Sequence, residues 1–134
     1  MVSREDLESY FIRMDSEYEE IAEGIYLVRG RSEGLTVVVN HSSPLLVLRL
    51  KVMDLEPGTG GSREELFRTL LQLNANDVIH GAYGLEENEL VLTETLQLET
   101  MDFPELQDAL ESIMLAASSH MERIRALAAA PVEG

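Results

Sequence analysis

Two periods of hydrophobic and polar positions run along this chain, and the change from one to the other marks its elements. The pattern is densest between Leu66 and Leu98. Leu66, Phe67, Leu70, Leu71 and Leu73 recur at helical spacing and give one broad apolar face. Ile79, Tyr83 and Leu85 then alternate with smaller residues, and Glu86, Glu87 and Asn88 form a polar turn. On the return strand Leu90, Leu92, Leu96 and Leu98 lie on one face. A helix feeding a hairpin cannot bury both apolar faces alone, so the remaining chain must cover them.

Upstream, Ser3 to Met14 reads as a helix: Ser3 stands in capping position with Asp6 three residues on, and Glu5 and Asp6 suit the N-terminal dipole. Leu7, Tyr10, Phe11 and Met14 form its stripe, and Ile12 falls off it. The stripe is either core-facing or a peptide-binding face. Tyr18 to Arg29 contains a first strand, strongest from Gly24 onward, and the turn Arg29 to Gly34 returns it through Leu35 to Val39. That return strand is apolar on both faces, which implies burial on both sides or an interface. After a turn at Asn40 to Pro44, Leu46, Leu48, Leu50 and Val52 face one way while Arg49 and Lys51 face the other, so Leu45 to Val52 is a third strand.

Glu56 to Gly61 is a connecting loop, and Ser62 with Glu65 forms a capping box for the central helix. Asp102 caps a last helix from about Phe103 to about Ala128, whose stripe runs through Phe103, Leu106, Leu110, Ile113, Met114, Ala117, Met121, Ile124 and Ala128. At about 1.5 Å per residue this helix is nearly 40 Å long, more than a sheet of short strands needs as cover. The element order is α-β-β-β-α-β-β-α in a single domain over residues 1–134. The fold class is α+β, a twisted antiparallel sheet with helices packed mainly on one face.

Composition narrows the function classes. The chain has 134 residues and no cysteine, which excludes disulfides and thiolate metal sites. Its start has no apolar run of the signal-peptide kind, and no segment approaches the roughly 18 apolar residues of a membrane helix, so a cytoplasmic location is expected. The formal net charge is −15, with no lysine or arginine between Arg68 and Arg123. Nucleic acid and anionic lipid are therefore poor partners. The acidity serves either as a solubilising surface or as a field that favours basic or disordered segments.

No catalytic motif stands out. His41, His80 and His120 fall in a turn, a strand and a helix, with no metal-ligand spacing between them. The glycines of Glu56 to Gly61 lack the ending of a phosphate loop, and Glu64 and Glu65 would repel an anion. Serines 42, 43, 118 and 119 lack a nucleophile-elbow context. No enzyme activity, metal or cofactor is expected.

The run from Leu70 to Ile124 resembles the C-terminal half of the Tir-chaperone (CesT) family of type III secretion chaperones, and also the related YbjN-like domains. The resemblance rests on the LLQLN end of the central helix (Leu70 to Asn74) and the Gly81-Ala82-Tyr83-Gly84-Leu85 strand. It continues through the acidic turn, Leu90-Val91-Leu92 with Leu96 and Leu98, and the final helix entered through Asp102 and Phe103. It implies a homodimer that holds an extended segment of a secreted, effector-like partner protein. By position, the resemblance puts the partner on Leu7, Tyr10, Phe11 and Ile12 with Leu35, Val37 and Val39. It builds the dimer around the central helix and the last hairpin, with Val91 and Thr93 on the outward face of the last strand. The alternative is a YbjN-like regulatory or interaction domain with no secretion role.

Overall fold

Ser3 takes an extended conformation and starts helix α1 (Arg4–Arg13) with the expected reciprocal cap. Its hydroxyl accepts the Asp6 N–H at 3.1 Å and its own N–H donates to the Asp6 carboxylate at 3.0 Å. Hydrogen bonding of Ser3 to the carboxylate, from its backbone N–H first and its side chain second, holds the Asp6 carboxyl below its usual pKa. The structure, a computed structural model, describes residues 1–30, 34–55 and 63–129.

The stretch read as one strand is two, β1 (Glu17–Ala22) and β2 (Ile25–Arg29), joined at Glu23 and Gly24. Gly24 has φ +77°, and a Cβ there would come 3.1 Å from the His41 carbonyl oxygen, so the turn favours glycine. β1 gave no period-2 signal because it is an edge strand rich in glutamate, with only Tyr18 packed against the core. β3 (Thr36–Ser42) and β4 (Leu45–Asp54) follow as a hairpin, then α2 (Glu64–Asn76), β5 (Ala82–Glu86), β6 (Glu89–Gln97) and α3 (Phe103–Ala128). The order is thus α-β-β-β-β-α-β-β-α, the expected α+β class with one more strand.

All pairings are antiparallel, in the order β1-β2-β3-β4-β6-β5. The register lines up Val28, Val37, Leu50 and Leu92 across four strands, and Tyr26, Val39 and Leu48 across three. These side chains are buried. Leu7 and Phe11 from α1, Leu66, Leu70 and Leu73 from α2, and Leu106, Ile113, Ala117 and Ile124 from α3 complete the same core. Arg49 and Lys51 lie on the opposite, open face with half-buried Leu27, Val38 and Val47. The alternation of β4 is as read from the sequence.

Three local expectations differ. Ile79 lies ahead of β5 and is 85% exposed. The strand starts only after Gly81, which has φ +89° and a Cβ position 2.5 Å from the Thr93 carbonyl oxygen. Glycine alone permits β5 to close onto β6 there. His80 accordingly precedes the sheet instead of standing in it. The loop Glu56 to Gly61 and Ser62 lie outside the described residues, as does most of the turn after Arg29. Arg63 occupies the N-cap position of α2, without a side-chain cap bond. Asp102 caps α3 as expected, its carboxylate accepting the Glu105 N–H at 2.9 Å.

Candidate functional site

Periodicity assigns α1 one stripe, and the fold divides it. Leu7 and Phe11 have no exposure, and Phe11 stacks at 5.1 Å from Tyr18 and 5.5 Å from Tyr26. Val37 and Val39 are likewise fully buried beneath the helices. Tyr10 is half-buried with its ring edge-on to Phe103 at 5.6 Å, and the Arg13 guanidinium lies 3.9 Å over the same ring. Ile12 is 67% exposed. Of the seven positions assigned to a partner, Ile12, Tyr10 and Leu35 therefore reach the surface, and the other four are buried in the core.

Leu35 lines a groove of about 440 Å³ that runs from Met14 and Ser16, past Val28 to Gly30, to Leu110, Met114 and Leu115 of α3. Leu115 is exposed on its wall. A second hollow, an apolar trough of about 240 Å³, lies where α2 meets β5 and is lined by Phe67, Leu70, Leu71, Tyr83, Leu85 and Leu90 with Asn74 and Gly84. Leu70 is buried, but its neighbour Leu71 is 68% exposed, and Phe67 and Leu85 are exposed beside it. A core that is already closed leaves these three large side chains without cover. Sequence periodicity gave the apolar face of α2 but not how much of it the core would use.

Val91 and Thr93 lie on the open face of the hairpin. Val91 is buried there although no helix covers it. On the same face the Arg49–Glu86 ion pair at 2.9 Å links β4 to β5 across β6, which lies between them. Lys51 adds pairs to Asp54 at 2.9 Å and Glu89 at 3.5 Å, and these hydrogen bonds and charges, Asp54 first, raise its pKa. Arg4, Arg29 and Arg68 are also held by nearby glutamates. These five cations are thus paired locally, in a chain whose 25 carboxylate side chains outnumber its 10 lysines and arginines.

One polar cluster was invisible in the sequence because its members are far apart in it. The Tyr83 hydroxyl is 2.8 Å from His120 Nδ1, and His120 Nε2 is 3.5 Å from the Asp77 carboxylate. The order carboxylate, imidazole, hydroxyl resembles a nucleophile relay. Burial, however, pushes the Tyr83 phenol up to about 12, so it stays protonated near neutral pH. Nor does Tyr83 line the groove of about 430 Å³ that Asp77 and His120 border. The cluster joins α2, β5 and α3, a packing role. His80 Nδ1 and Glu94 lie 3.6 Å apart nearby. Among the described residues no group of three or more histidines and carboxylates could hold a metal ion, and no helix is long and apolar enough to cross a membrane.

Tyr26, buried and facing the charges of Glu8 and Glu20, is also pushed up to about 12. The folded state keeps both phenolic protons more tightly than the unfolded chain, whose tyrosines titrate near 10. Stability should therefore be intact below pH 10 and fall as pH rises towards 12. Guanidinium denaturation at a series of pH values checks this. Replacing both tyrosines with phenylalanine should flatten the alkaline limb, and an equally steep limb in that variant would refute the assignment.

Comparison with known proteins supplies the context for these surfaces. The ExoU–SpcU heterodimeric complex of the Pseudomonas aeruginosa type III secretion system contains a chain that matches with TM-score 0.62 and 14% identity, over 89% of this chain and 94% of that one. The complex of the Yersinia pestis type III secretion chaperone SycH with a fragment of YscM2 matches with TM-score 0.60 and 17% identity, over 84% and 94%. YbjN from E. coli matches with TM-score 0.63 and 11% identity, over 92% and 95%. At these identities the likeness is one of fold. Among curated proteins, no sequence matches the chain. The sequence profile of the CesT_Tir_1 family matches residues 2–130, nearly the whole length, and the chain belongs to that family.

Proposed function

We propose that this chain is a non-catalytic, chaperone-like binding domain that pairs with a second copy and holds an extended segment of a partner protein. The observation that carries the reading is the set of large apolar side chains left outside a complete core. Phe67, Leu71 and Leu85 are gathered on one face, while Ile12 and Leu115 stand on other parts of the surface. The first group, at the central helix and last hairpin, is the dimer face. Val91 and Thr93, on the other side of that hairpin, would border it. Tyr10, Ile12 and Leu35 with the groove along α3 are the partner surface, over a floor that includes Leu7, Phe11, Val37 and Val39. Family membership supports the reading, and so do the solved relatives whose chains are complexed with other proteins.

The test is capture of the tagged protein from its native cells, followed by calorimetry with the purified partner. A disordered segment that orders on binding should give a large negative heat-capacity change. The double substitution Leu35→Glu/Leu115→Glu should weaken that binding at least about tenfold while leaving the dimer intact. A folded partner bound with little ordering would favour instead the interaction-domain reading that the YbjN likeness offers. Undiminished binding by the double variant would move the partner surface elsewhere.

A further inference from the structure

β5 ends the sheet, so half of its backbone groups point away from β6. The two-residue turn Glu87–Asn88 closes on the Glu86–Glu89 pair, which sets the alternation along the hairpin. Gly84 faces Val91 with its N–H and C=O, whereas Tyr83 and Leu85 turn theirs outward. An outward row of this kind is a template for a further strand.

At Tyr83 the row is already occupied. Asn74, in the last turn of α2, accepts the Tyr83 N–H on Oδ1 at 2.7 Å and donates from Nδ2 to the Tyr83 carbonyl at 3.2 Å. One side-chain amide thus makes the two bonds that a neighbouring strand would make. The position is held from both sides. Asp77 and Val78 both donate their N–H to the Leu73 carbonyl, closing α2 just beyond Asn74, and His120 holds the Tyr83 hydroxyl. The other edge strand differs: among the described residues no side chain bonds the backbone of β1 in this way.

We propose that Asn74 is a built-in strand mimic that closes the β5 edge to strand addition. A partner at this end of the sheet, a second copy of the chain included, then meets the apolar side chains of Phe67, Leu71 and Leu85 and does not prolong the sheet.

Amide exchange in the unaltered protein is the first test. Tyr83 and Leu85 both point outward, yet the Tyr83 N–H should exchange slower than that of Leu85 by on the order of tenfold or more. Asn74→Ala should erase that difference and give concentration-dependent assemblies larger than the parent, read by light scattering. Adding Ala82→Lys, a charge on the exposed edge away from the trough, should return the size to the parent's. Equal exchange at Tyr83 and Leu85 in the parent would overturn the proposal even if the alanine variant fails to fold. So would a folded Asn74→Ala of parental size at every concentration, or assemblies that Ala82→Lys leaves unchanged.

Discussion

In the proposed dimer, Leu71→Glu is expected to separate the two copies while leaving the fold intact. Leu71 is 68% exposed on α2, next to Phe67 and Leu85 at the mouth of the trough. In a two-fold interface each of these side chains is buried twice, and full burial of such a side chain stabilises by about 1.5–3 kcal/mol. A carboxylate at position 71 removes that gain. It also places two like charges in an apolar interface, alongside Glu64 at the start of the same helix. The dissociation constant should rise by roughly three orders of magnitude or more. In the separate subunit the side chain sits in water, so unfolding should change by about 0.5 kcal/mol at most. Light scattering across a dilution series, with chemical denaturation of the diluted protein, reads both quantities. An unchanged dimer would shift the interface off α2, with the Val91–Thr93 face next in line.

Neighbouring residues on α1 should behave in opposite ways. Phe11→Ala removes a fully buried ring from a cluster with Tyr18 and Tyr26, and should lower stability by about 3–5 kcal/mol. For Ile12→Ala the expected change in stability is within about 0.5 kcal/mol, because the side chain already faces solvent. Its effect should fall on partner binding. A denaturation curve for each variant decides the matter. A stable Phe11→Ala protein with impaired binding would mean that the groove opens to the ring and that the floor assignment is wrong.

What could be read in advance was what is local. The Ser3–Asp6 and Asp102–Glu105 caps span three residues each, and the β4 alternation and α3 stripe repeat within a few turns or pleats, so each left its mark in the order of residues. β1 left none, since an edge strand with one inward tyrosine needs no alternating apolar side chains. The proposed partner surface was harder still. Periodicity groups Leu70 with Leu71, and Leu7 with Phe11, but whether a given face is covered depends on what a distant element does. Asn74, Tyr83 and His120 are brought together only when α2, β5 and α3 dock, and no spacing rule connects them. Asn74 did stand in the LLQLN run that carried the family resemblance, without showing that its amide would bond a strand.

The sheet order has a kinetic consequence. β1 to β4 form an unbroken meander in which every strand meets the next one along the chain, and β5 and β6 are likewise sequential. The β4–β6 seam is the exception, because α2 and β5 intervene before the two strands meet. Local hairpins close small loops on the microsecond scale, about 1–10 μs, whereas joining the two halves must first overcome the entropy of a much longer loop. Closure of this one seam through the middle of the sheet is therefore the expected slow step on the way to the native state. Until that seam closes, Leu48 and Leu50 on one half and Leu92 on the other remain unmatched, and nascent chains are most exposed to wrong association at that stage.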